Sequence, residues 1–309
     1  MRALVTGATG FVGRYLVLEL RRRGWNVICL VRRQVEPVDP EIECVTADLS
    51  QPTDIPFLQL AVRPIDALFH FGALLPGKEI SARQYLTVNS TATAHLLEIA
   101  ANLDIKSVVY ASSLPFIGRP EHLPINEDHS TKPMHPYHLS KLCGELACEM
   151  ARRISGRSIT SLRITSPYGP GMQSRVVLSR FVESTLRSKD IHWLGGGTRA
   201  QNFVHVRDVV RAALLATATQ NPGVYNVGGR ETTTMKELAL LVTQLSPIKG
   251  CEATAAEGVD PEEGIRWEID LTRAQAGLGY TPSIALPDGL ADYIEWARSG
   301  ARAPSWWKS

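Results

Sequence analysis

Tyr137 and Lys141 stand four places apart in "PYHLSKLCGE", just after Pro136. Four residues make about one helical turn, so the two side chains share a face. Pro136 suits a helix start, where its missing N–H costs nothing. A phenol titrates near about 10 and is too weak a base at neutrality, whereas an ammonium fixed beside it stabilises the phenolate and lowers that value toward working pH. Ser112 and Ser113 close the apolar run "SVVYASS" upstream. If that run is a strand, a hydroxyl joins the phenol and ammonium at the carboxyl edge of a sheet, a set able to polarise one oxygen and exchange a proton with it.

A second group of residues points to a dinucleotide. In "ALVTGATGFVG", Gly7, Gly10 and Gly13 follow a strand-like run and open a helical one. Glycine there lets backbone N–H groups approach a pyrophosphate at the positive helix end. At the end of the second strand, where an acid would bind a ribose 2′-hydroxyl, the chain reads "VICLVRRQ": Val31 takes the acidic place and Arg32 and Arg33 follow. The charge sign favours NADP over NAD. Asp48, closing the third strand, stands where it could meet the adenine edge.

These residues need a scaffold. Strand-like runs "RALVT", "NVICLV", "IECVTA", "DALFHF", "SVVYAS" and "SITSLRI" alternate with helical patterns from about Phe11, from about Gln84 and through Tyr137. The rhythm predicts an α/β fold, a doubly wound parallel Rossmann sheet. Leu86, Thr93, Leu96, Leu97 and Ala100 recur at helical spacing, and Leu142, Leu146, Met150 and Ile154 form a four-residue ladder; both sets are predicted as core. The Pro/Gly break "SPYGPGMQS" suggests a boundary, giving a dinucleotide-binding domain over 1–168, with returning segments near 203–230, and a second, smaller, mainly substrate-binding domain over 169–309. "TMKE", from Thr234 to Glu237, has the form of a capping box.

In order along the chain, the glycine motif, "VNSTAT", "YASSLPFIG", "YHLSK", "LRITSPYGPG", "NFVHVRDV" and "YNVGG" resemble the extended short-chain dehydrogenases/reductases, the nucleotide-sugar epimerase, dehydratase and reductase group. The resemblance implies Ser113 as a substrate hydrogen-bond donor, Tyr137 as acid/base, Lys141 as its electrostatic partner and ribose ligand, and Asn89 as a cofactor-side helper. The cofactor set it implies also includes Phe11, Val12, Leu49, Phe71, Gly72, Ala73 and Ser166. It further implies a homodimer formed through the Asn89 and Tyr137 helices.

Departures from that group narrow the chemistry. Dehydrating relatives carry Asp-Glu directly after the hydroxyl residue and decarboxylating ones a Glu two places after it; here Leu114 and Pro115 follow Ser113, and neither moves a proton. Many uridine-diphosphate-sugar relatives place one Arg before "D-F-V-H-V" and another about ten residues before a late Asp. This chain has Gln201 and Asp260. Either Arg175, Arg199 or Arg266 substitutes, or the substrate is not a conventional nucleotide sugar. Ser166 replaces an Asn common in such relatives. His138 is expected to be peripheral, His205 a packed strand residue, and Trp306 and Trp307 a domain-edge or oligomer contact.

The expected activity is hydride transfer to or from a sugar-like substrate, with a nucleotide-linked keto-sugar reductase preferred, a nucleotide-sugar epimerase with retained cofactor as the close alternative, and a non-catalytic NADP sensor as a third reading. NAD remains possible as cofactor. The formal charge of +2 over 309 residues gives no basis for a nucleic-acid or membrane partner. Five cysteines without C-x-x-C or His-spaced zinc patterns suggest reduced thiols and no metal site. With no signal-peptide core or apolar span of about 20 residues, the chain is expected to be soluble and cytoplasmic.

Overall fold

A computed structural model describes residues 1–172 and 176–308. Seven parallel strands form the central sheet, in the order β10-β6-β5-β4-β1-β2-β3. They are β1 (Arg2–Thr6), β2 (Asn26–Val31), β3 (Ile42–Thr46), β4 (Ala67–His70), β5 (Ser107–Ser113), β6 (Ser158–Ile164) and β10 (Val224–Val227). β1, β2, β4 and β5 are nearly continuous buried runs because helices cover both faces. This is the doubly wound Rossmann arrangement, with its order reversing between β1 and β4.

On one face, α1 (Phe11–Arg22), α7 (Val206–Ala218) and α9 (Thr272–Leu278) pack with Leu16, Leu20, Val209, Ala213 and Leu278 inward. The other face carries α2 (Phe57–Leu60) and a helix running from α3 (Ala82–Leu86) through a π-helical turn, Thr87–Thr91, into α4 (Ala92–Asn102), followed by α5 (Pro136–Ser155). Thr93, Leu96, Leu97 and Ala100 are buried there as expected, and Leu86 is half-buried.

The α5 ladder departs from expectation. Leu142 is half-buried, but Leu146, Met150 and Ile154 are 58%, 64% and 82% exposed. The inward face of α5 instead carries Ser140, Lys141, Gly144, Glu145 and Cys148. Helical spacing reports that a face is apolar, not which face the sheet covers, and here small and chemical residues take the covered side.

The second lobe holds β7 (Ser166–Tyr168), β9 (Ala200–His205) and β11 (Thr232–Thr234) in one small sheet and β8 (Ile191–Trp193) with β12 (Ala253–Ala255) in another. Its core packs α6 (Val177–Leu186), α8 (Met235–Leu245) and α10 (Leu286–Ser299) through Leu178, Val182, Leu238, Val242 and Leu290. The Thr234/Glu237 capping box forms at α8. The lobes are interleaved along the chain: α7, β10, α9 and Trp306 pack with the central sheet, whereas β9 pairs with β7.

Candidate active site

The β1–α1 turn is shaped by two glycines. Gly7 has φ +70°, and a Cβ there would lie 2.6 Å from the Phe71–Gly72 backbone; a Cβ on Gly13 would meet the Gly7 carbonyl oxygen at 2.0 Å. The turn therefore packs directly on the end of β4, and α1 directly on the turn. Gly10 closes it, its N–H donating to the Gly7 carbonyl at 2.9 Å. No side chain caps α1 and no acid sits in its first turn, so its N-terminal N–H groups face the adjoining cavity without competition from a carboxylate.

Two anchors hold this turn. The Trp306 indole, fully buried, donates to the Ala8 carbonyl at 2.8 Å. Behind the turn, the Gly72 N–H donates to the Thr6 hydroxyl at 3.0 Å, and that hydroxyl meets His70 Nδ1 at 2.6 Å. His70 Nε2 lies 2.9 Å from the Thr93 hydroxyl, which donates to the Asn89 carbonyl at 2.7 Å. Because Thr93 spends its proton on Asn89, His70 carries its hydrogen on Nε2 and accepts at Nδ1. Burial, with the nearby Lys141 charge, lowers His70 to about 3 and keeps it neutral.

The cavity over the turn has a volume of 960 Å³. Gly7, Gly10, Phe11, Val12, Gly13, Arg32, Asp48, Leu49, Phe71, Gly72, Ala73, Ser113, Tyr137 and Lys141 all line it. Uncapped helix N–H groups, a glycine cradle and an arginine at the β2 end are a set of residues that would suit a dinucleotide.

At the inner end, the Ser113 hydroxyl stands beside the Tyr137 phenol, near enough to favour its ionised form. Tyr137 is set by its neighbours. His135 caps α5 by accepting the Tyr137 N–H at Nδ1, 3.0 Å away, and the Tyr85 ring stands edge-on at 6.0 Å. Burial pushes Tyr137 up to about 12, against the lowering effect of the neighbouring Ser113 hydroxyl. The Lys141 ammonium lies over the Tyr110 ring, 4.1 Å from its centroid. Burial also lowers Lys141 to about 7, opposed by Cys148 and Glu145. Glu145 is itself fixed by the Ser112 hydroxyl at 2.6 Å and by Arg163 at 2.7 Å. At neutral pH the Tyr137 phenol thus keeps its proton, with the Ser113 hydroxyl beside it.

A second cavity, 330 Å³, adjoins the first: Thr165 lines both, and Ser113–Leu114 and Tyr137–His138 straddle the junction. His138, Ser166, Gln201, Ile265 and Trp267 line this outer space.

The profile of the NAD dependent epimerase/dehydratase family matches residues 3–228. The chain belongs to that family. It is 30% identical to the UDP-glucose 4-epimerase of Mycolicibacterium smegmatis, over 97% of this chain and 99% of that protein. Among solved structures it resembles the Thermotoga maritima UDP-glucose 4-epimerase crystallised with UDP-glucose, with a TM-score of 0.84 and 26% identity over 97% and 99% of the two chains. It also resembles MoeE5 in complex with UDP-glucose and NAD, with a TM-score of 0.81 and 31% identity over 97% and 99%.

Within this NAD-dependent family, three expected cofactor residues of the chain lie elsewhere. Arg32 and Arg33 are both exposed where the chain leaves β2, and of the two Arg32 lines the first cavity. Asn89 is buried; its amide accepts from the Leu74 N–H at 2.7 Å and donates to the Leu74 carbonyl and the Ser140 hydroxyl. It braces the loop after β4 from behind the cavity wall. Ser166 faces the outer cavity instead. His138, expected to be peripheral, lines that same outer space.

His205 is buried, accepts the Arg207 N–H as the cap of α7, and is lowered to about 4 by burial. The anchoring of Trp306 and the cap by His135 escaped sequence reading; the only local signal was His135 directly before Pro136. Arg175 lies outside the described residues. No helix among them is long and apolar enough to cross a membrane.

Proposed function

We propose that the chain is a nicotinamide-dependent oxidoreductase acting on one secondary carbinol or ketone carbon of a sugar-like substrate, working as an epimerase that oxidises this carbon and reduces it from the opposite face. The supporting observation is that Ser113, Tyr137 and Lys141 together line the first cavity where it adjoins the second. A bound nicotinamide supplies the hydride acceptor and donor. Ser113 bonds the reacting oxygen; in the reducing half Tyr137 gives that oxygen its proton, and in the oxidising half Tyr137, as phenolate, receives it. Leu114 is fully buried against Phe116, Ile117 and Ile125, and with Pro115 beside it no further acid or base follows Ser113 to drive dehydration or decarboxylation.

Arg32 favours a second reading, an NADPH-consuming ketone reductase. Its guanidinium lines the cavity and makes no hydrogen bond or ion pair among the described residues, so its charge is open to a 2′-phosphate. Incubation with a panel of sugars and keto-sugars separates the readings: an epimerase inverts product configuration without net change in nicotinamide absorbance, whereas a reductase consumes NADPH one-for-one.

We also infer a homodimer through the outward face of α5. Leu139, Leu146, Met150 and Ile154 form an exposed apolar stripe along about four turns.

A further inference from the structure

Arg14 is the fourth residue of α1, in the turn whose free N–H groups face the first cavity. A cation there opposes the helix macrodipole, which favours negative charge at this end. No acid offsets it: the first turn carries none, and Arg14 makes no ion pair among the described residues. The side chain is nonetheless half-buried, and burial lowers its value against the raising effect of Tyr15. A guanidinium keeps its charge under such a shift. An unpaired, partly desolvated cation at the unfavourable end of a helix breaks a local rule, and such breaks mark functional positions.

The guanidinium is fixed from two sides. On one, Nε donates to the Gly10 carbonyl at 3.4 Å and Nη2 to the Thr9 carbonyl at 3.3 Å. On the other, it lies over the Trp307 ring, 5.3 Å from the centroid. Trp307 is held in turn by an antiparallel bridge to Pro37. Beside that bridge the Val38 N–H donates to the Trp306 carbonyl at 2.9 Å and the Lys308 N–H to the Glu36 carbonyl at 2.8 Å. Thr9 and Gly10 line the first cavity, whereas Arg14 does not. The charge therefore stands behind the glycine turn.

We infer that Arg14 is a positioning residue for the pyrophosphate of the dinucleotide, acting through the peptide groups of the glycine turn and pinned there by Trp307. The Gly10 carbonyl belongs to the same peptide as the Phe11 N–H, the first uncapped donor of α1. A carbonyl that accepts a charge-assisted bond makes the N–H of its own peptide a stronger donor. A diphosphate on that N–H also supplies the negative charge that the first turn of α1 lacks, so binding relieves the conflict between Arg14 and the macrodipole. The inference rests on the first cavity being the dinucleotide seat and does not involve Ser113 or Tyr137.

The test is fluorescence titration with NADH, at low and high salt, of the parent chain and of Arg14→Gln, Arg14→Lys and Trp307→Leu, with a thermal melt of each. Arg14→Gln is expected to bind NADH about tenfold more weakly and with a shallower salt dependence. Its Tm without dinucleotide should stay within about 2 °C of the parent, because the lost ring contact and the relieved macrodipole offset each other. Arg14→Lys keeps the charge and should lose no more than about threefold. Trp307→Leu releases the guanidinium and should lose about threefold alone but nothing further when combined with Arg14→Gln; its loss alone serves if Arg14→Gln does not fold. Arg14→Gln binding as tightly as the parent, Arg14→Lys losing as much as Arg14→Gln, or a Trp307→Leu loss that persists beside Arg14→Gln would overturn the inference. A parent chain that does not bind NADH would overturn it together with the dinucleotide seat. The titrations use no turnover, so a failed assignment of Ser113 and Tyr137 would leave their result standing.

Discussion

The Lys141 ammonium lies over the face of Tyr110, 4.1 Å from the ring centroid. A buried cation on an aromatic face is held electrostatically but remains poorly solvated. Its value accordingly falls from 10.5 to about 7. Below pH 7 the folded chain holds a buried charge that the unfolded chain keeps in water, so the cost is fully present there. It fades as pH rises from 7 toward 10.5, where only the unfolded form still binds the proton. Lys141→Met, without added dinucleotide, is expected to raise Tm by roughly 2 °C or more near pH 6, and by progressively less toward pH 10. Thermal melts across that range check it; a lower Tm at the acid end would contradict it.

Tyr137 sits at about 12 with Ser113 as the contact that lowers it. The phenolate is scarce at neutrality, so the rate of substrate oxidation should climb with pH while reduction does not. Ser113→Ala should move that rise to still higher pH and lower kcat about tenfold or more. Matched pH profiles for both directions are the measurement, and an unshifted oxidative limb in the variant would remove Ser113 from its role.

Arg32 provides the cofactor test. Arg32→Asp is expected to weaken NADP binding about tenfold or more and to weaken NAD less, because only the former brings a phosphate to that guanidinium. Equal losses in fluorescence titrations of the two dinucleotides would assign Arg32 to the surface.

Trp306 ties the chain's end to the glycine turn through Ala8. Trp306→Phe keeps most of the packing but strands a buried carbonyl, at a cost of about 1–3 kcal/mol. Both Tm and dinucleotide affinity should fall; intact affinity with a lower Tm would make the bond purely structural.

The exposed ladder on α5 yields the last variant. Met150→Glu is expected to shift the chain to monomer in sedimentation without a fall in Tm as measured on the monomer, since Met150 is 64% exposed. A wild-type chain that sediments as a monomer would refute the dimer.

The central sheet was legible because buried parallel strands leave continuous apolar runs, and β1, β2 and β6 begin and end where the sequence places them. The glycine turn was legible for a local reason: Gly7 and Gly13 have no room for a Cβ. What escaped depends on distant or angular relationships. Trp306 reaches Ala8 across most of the chain, Arg32 and Arg33 part company only in three dimensions, and the Leu146–Ile154 ladder names an apolar face without naming its cover. The Lys141–Tyr137 spacing was read correctly as proximity along a helix, but the direction of the ammonium is set by Tyr110 on β5, which helical spacing does not contain.

Tyr137→Phe tests the proton-transfer centre most directly, in a single-turnover experiment that follows nicotinamide absorbance after mixing the dinucleotide-loaded chain with a reacting sugar. The expected result is a fall of about 10²–10⁴-fold in the rate of cofactor reduction with dinucleotide affinity unchanged. A variant that reduces its cofactor as fast as the parent chain would contradict the assignment of the Ser113–Tyr137 pair.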